Sequence, residues 1–98
     1  MATYLMLFSF TQKGMEKIKE IGSRVEAAKK IIQQRGGELQ TFYAILGSEH
    51  DTLFILTAPN DEKVAEMALA IGMLGNVRTR THRLFSSDEL SRITAALP

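Results

Sequence analysis

The chain has 98 residues, 45% of them apolar and 23% charged, with 12 basic and 11 acidic side chains and no cysteine. That length fits one domain with a thin core, and the composition is that of a globular protein. It excludes a disulfide scaffold, a thiolate metal site and a cysteine nucleophile, and it lacks the basic excess that duplex binding draws on.

The opening residues MATYLMLFSFTQKG have an apolar stretch with no basic residue ahead of it and no small-residue cleavage site behind it. No apolar run approaches the roughly 18 residues of a membrane span. The expectation is a soluble cytoplasmic protein with neither membrane nor nucleic acid as partner. Thr3 to Phe10 predicts a strand with Tyr4, Met6, Phe8 and Phe10 on one face and Leu5 and Leu7 on the other. Apolar residues on both parities predict cover on both faces.

Met15, Ile18, Ile21, Val25, Ala28 and Ile32 recur at spacings of three and four, the stripe of an amphipathic helix. Thr11 is its expected N-cap, Gly22-Ser23 its expected break, with Ser23 and Glu26 as a capping box, and Gly36-Gly37 its stop. Leu39 to Leu46 predicts a second strand, with Leu39, Thr41, Tyr43 and Ile45 on one side. Gly47-Ser48-Glu49-His50 is the expected turn, and Asp51 to Ala58 completes a hairpin. Pro59-Asn60-Asp61-Glu62 opens a second helix whose stripe is Val64, Met67, Ala68, Ile71 and Leu74. Gly75-Asn76 turns the chain into a polar edge strand, Val77 to Phe85. Ser86 and Glu89 form a capping box for a short final helix.

The element order βαββαβ predicts one α+β domain over residues 1–98, of ferredoxin-like plan. Its four-stranded antiparallel sheet has the two main helices on one face, the first and third strands at the centre and an extra C-terminal helix. Two helices cover one face only. The other is expected to expose Phe, Leu and Met side chains, and a second copy of the chain is the simplest cover.

Four segments, TYLMLFSFTQKG, GSEHD (Gly47 to Asp51), APNDE (Ala58 to Glu62) and GNVRTRT (Gly75 to Thr81), resemble the GYD-domain family of small bacterial proteins over nearly the whole chain. The resemblance implies a dimeric α/β barrel and assigns no activity or cofactor. The family is named for a glycine, a tyrosine and an aspartate. This chain has Gly47 and Asp51 but His50 where the tyrosine falls, and the glycine is displaced by one residue.

Six side chains are the candidate ligand-binding set. His50 and Asp51 lie at the hairpin turn, where a base or ligand contact and plain turn chemistry both fit. Arg78, Arg80 and His82 share one face of the last strand, as an anion site or as charge protecting a sheet edge. Tyr43, with Tyr4 beside it as a weaker case, offers a hydroxyl to a cavity or to a core rim. Two histidines 32 positions apart make no metal signature, and no phosphate loop or nucleophile elbow is present. The function expected is a small-molecule-binding module acting as a homo-oligomer. The alternatives are a cofactor-independent monooxygenase or isomerase of the dimeric α/β-barrel kind, and a purely structural protein.

Overall fold

Alternation along the first strand decides which way the sheet faces. Tyr4, Met6 and Phe8 are buried, whereas Leu5 and Leu7 between them are only half-buried. A computed structural model describes all residues, Met1–Pro98. The order is β1 (Ala2–Phe10), α1 (Gln12–Glu16), a 3-10 turn (Ile18–Glu20), α2 (Ile21–Gln34), β2 (Glu38–Ala44), β3 (Thr52–Ala58), α3 (Asp61–Met73), β4 (Val77–Leu84) and α4 (Ser87–Ala95).

The strands form one antiparallel sheet in the order β2-β3-β1-β4, the ferredoxin-like arrangement, with β1 and β3 central and β4 at an edge. Ala28 and Ile32 of α2 and Val64, Met67 and Ile71 of α3 share one core with the even-numbered residues of β1 and β3. Met6, Ile32, Leu56 and Met67 are fully buried, each worth roughly 1.5–3 kcal/mol of transfer free energy.

Caps set the element ends. Thr11 Oγ1 accepts from the Gly14 N–H at 3.1 Å, and Asn60 Oδ1 from the Lys63 N–H at 2.9 Å. Gly36, at φ +79°, turns the chain out of α2 where a side chain would be strained. At Ser86 and Glu89 both bonds of the capping box are made, at 3.1 and 3.0 Å.

Three expectations are corrected. The first helix breaks at Lys17 to Glu20, before Gly22-Ser23, and the Ser23 hydroxyl donates to the Glu20 carbonyl and caps nothing. This break leaves Met15 exposed, outside the expected stripe. In β2 the register shifts between Leu39 and Thr41, so Leu39 sits opposite Leu56 and packs against the core, while Thr41 and Tyr43 stay on the other face. Finally, the large apolar side chains that β1 and β3 turn away from the helices are leucine and isoleucine, with no phenylalanine or methionine among them. Phe8, Phe54 and Met6 all lie in the core, and Phe42, opposite Phe54, shares their side of the sheet.

Candidate functional site

Cross-strand partners in a sheet share a face, so the pairing places the candidate residues. Leu5 and Leu7 stand opposite Ile55 and Leu53 on β3 and opposite His82 and Arg80 on β4; Ser9 stands opposite Arg78. Tyr43 and Thr41 stand opposite Leu53 and Ile55. The face away from the helices therefore carries a central aliphatic patch of Leu5, Leu7, Leu53 and Ile55, all half-buried. Arg78, Arg80 and His82 border it on one edge, Tyr43 and Thr41 on the other. Arg78, Arg80 and His82 are exposed, and none has an ion-pair partner. Tyr43 and Arg80 sit in one row across four strands, three strand spacings or about 14 Å apart. One small ligand on one chain does not touch both.

The bend between β2 and β3 is tied to the end of β1. The Asp51 N–H donates to the Phe8 carbonyl at 2.7 Å, and Asp51 Oδ2 accepts from the Phe10 N–H at 2.8 Å. The carboxylate thus stands in for a strand carbonyl just where the β1–β3 ladder ends. The His50 ring lies with Nδ1 at 3.2 Å from Ser9 Oγ and Nε2 at 3.6 Å from Glu49 Oε1. Histidine and aspartate turn to different partners and form no dyad. Ser9 Oγ is also 3.2 Å from the Glu49 carbonyl, to which it can only donate. The arrangement that satisfies both contacts has Ser9 donating to Glu49 and His50 Nδ1–H donating to Ser9.

Ser9, absent from the sequence reading, links His50 to the end of the sheet where Arg78 lies. Its only prior signal is its parity with Leu5 and Leu7, which identifies a site only once the register with Arg78 is known. No three His, Asp or Glu side chains are grouped to hold a metal ion.

Tyr4 lies on the other side of the sheet. It is buried at 3% exposure, and its hydroxyl donates to Asp61 Oδ1 at 2.5 Å. Burial first, then the bond to Asp61, pushes its pKa above the usual phenol value. Arg83 lies over the Tyr4 and Phe85 rings and joins Glu89 at 2.8 Å, which ties the start of α4 to β4. No residue of α4 is buried, and Phe85, Leu90, Ile93 and Leu97 are exposed.

Comparison with known proteins adds to this geometry. No functionally curated protein matches the sequence. Among solved structures, 30S ribosomal protein S6 from Thermotoga maritima is similar at 19% identity and TM-score 0.68, covering 96% of this chain and 97% of that one. A protein of Thermus thermophilus is similar at 21% identity and TM-score 0.56, covering 89% and 96%. A REP-associated tyrosine transposase bound to a REP hairpin is similar at 12% identity and TM-score 0.54, covering 94% of this chain and 61% of that one. At such identities the likeness is one of fold. The GYD domain model matches residues 4–94, and the chain belongs to the GYD domain family.

Proposed function

We propose that the chain is a single-domain, cytoplasmic small-molecule-binding module that works as a homodimer, with ligand held between the open sheet faces of two copies. The observation that carries this reading is the aliphatic patch of Leu5, Leu7, Leu53 and Ile55, which no element of the same chain covers. Packing two such patches face to face removes both from water, and two-fold symmetry lets one surface serve both partners. It also brings the β4 edge of one copy toward the other copy, which shortens the gap between Tyr43 and the cations.

Unpaired Arg78 and Arg80 with His82 favour a ligand bearing a carboxylate or phosphate, because a guanidinium offers a planar fork of donors to two oxygens. Ser9, His50 and Asp51 line one end of the same face, and there His50 is a ligand contact while Asp51 holds the bend. The near-balance of 12 basic against 11 acidic residues supports a small ligand over a nucleic acid.

Native mass spectrometry of gently purified protein tests the ligand directly. A dimer with added non-protein mass is expected, with occupancy at least tenfold lower in Arg80→Ala. Added mass that Arg80→Ala leaves unchanged contradicts the assignment, and added mass from an oligonucleotide replaces it with a different one.

A further inference from the structure

α4 is a helix without a core of its own. None of its residues is buried, although the capping box and the Arg83–Glu89 pair fix where it starts. Leu90, Ile93 and Leu97 recur along it at spacings of three and four, one apolar stripe, and all three are exposed. The Leu97 N–H donates to the Thr94 carbonyl at 3.1 Å, so the last turn carries on through Leu97. The Cα radius of gyration is 14.7 Å, above the ~12.6 Å of a compact domain of this length. The long axis is 52 Å, whereas the nine residues of β1 span about 30 Å. The helix stands off the end of the sheet and does not fold back on it.

Nine residues are too few to hold a helix in water by themselves, so the stripe needs a cover. Its charges narrow the choice of partner. Asp88 and Glu89 outnumber Arg92, which suits neither an anionic lipid surface nor a nucleic acid. Spacings of three and four are instead the seam by which one helix packs on another. The open sheet face has a matching need. A stable homodimer buries about 800 Å² on each partner. The half-buried Leu5, Leu7, Leu53 and Ile55 supply only part of that.

We infer that α4 is a dimer arm, whose Leu90, Ile93 and Leu97 stripe packs against the same stripe of a second copy. The inference rests on the face-to-face homodimer proposed above. A two-fold axis running along the strands sets β4 of one copy over β2 of the other and brings both β4 C-termini to one end. The two helix starts then stand about 14 Å apart across the sheet and about 10 Å apart between sheets. Each helix is about 14 Å long, enough to reach the other. A stripe on the axis meets itself, so one sequence serves both sides. The arms leave from the His82 end of β4, while Ser9 lies opposite Arg78 at the other end. Paired arms close the first end and leave the Ser9 end as the way in for a ligand.

The full chain has no cysteine, so a single introduced thiol reports alone. In a glutathione redox buffer, Ile93→Cys is expected to form a covalent dimer at least tenfold faster than Arg92→Cys, which lies on the polar face of the same helix. Adding Leu53→Glu removes that lead. In sedimentation equilibrium, Ile93→Glu is expected to raise the dimer dissociation constant at least tenfold while the protein stays folded. A dimeric wild type in which Ile93→Cys is no faster than Arg92→Cys, or in which Ile93→Glu dimerises as tightly, overturns the arm and leaves the face-to-face dimer standing. A monomeric wild type overturns both.

Discussion

Asp51 accepts from the Phe10 N–H at 2.8 Å while its own N–H donates to Phe8. It belongs to a bend whose geometry also seats His50 against Ser9. A hydrogen bond to a charged acceptor is worth roughly 1.5–3 kcal/mol, so Asp51→Ala is expected to lower stability by about that much in urea unfolding. Asp51→Asn, which keeps an acceptor, loses less. An Asp51→Ala protein as stable as wild type that no longer binds ligand would show a ligand contact instead of a strut. Gly14 makes a second residue-scale case. A Cβ there would stand 2.1 Å from the Asn76 carbonyl oxygen, which is backbone and takes the Thr11 N–H. Gly14→Ala should therefore cost about 1–3 kcal/mol, the range for overpacking a closed site. Gly22→Ala meets nothing within 4 Å and should gain roughly 0.5–1 kcal/mol from helix propensity. Equal effects from the two alanines would contradict the packing described. Composition had no means of separating these glycines, because what differs is a contact 62 positions away in sequence.

At the scale of elements, α4 depends on its first turn. The Ser86 N–H, then Arg83, holds the Glu89 carboxyl at about 2, below its ordinary 4.5. A carboxyl depressed in the folded state stabilises it fully above about pH 4.5 and loses that contribution as pH falls toward 2. Fraying of α4 over that window is expected in the amide shifts of residues 86–95, with Glu89→Gln showing no such acid step. An identical acid titration in Glu89→Gln would place its origin elsewhere. This capping box was legible because Ser86 and Glu89 carry it locally, as Asn60 does for α3. The interruption before α2 was not. Gly22-Ser23 is the stronger breaker in sequence, yet Arg24 ends α1 earlier by reaching back to the Gly14 and Lys17 carbonyls. Likewise the bulge at Gln40 leaves no mark in a strand apolar on both parities, because Leu39 suits either face.

For the whole molecule, the sheet order and the central place of β1 and β3 follow from the βαββαβ pattern, and the pairing bears them out. That Arg78, Arg80 and His82 share a face was legible from the strand period. That they border Leu5 and Leu7 required the register. The molecule measures only 18 Å along its thinnest axis, as one helix layer on one sheet should, and the second face of that sheet is bare. Its neighbours on β3 separate two kinds of contact. Phe54 is 3% exposed in the helix-side core, while Leu53 is half-buried on the open face. Sedimentation equilibrium of wild type, Leu53→Glu and Phe54→Glu, each with far-UV circular dichroism, tests the face-to-face homodimer most directly. A dimeric wild type, a folded but monomeric Leu53→Glu and an unfolded Phe54→Glu are the expected result. A folded wild-type monomer, or a Leu53→Glu dimer as tight as wild type, would contradict it.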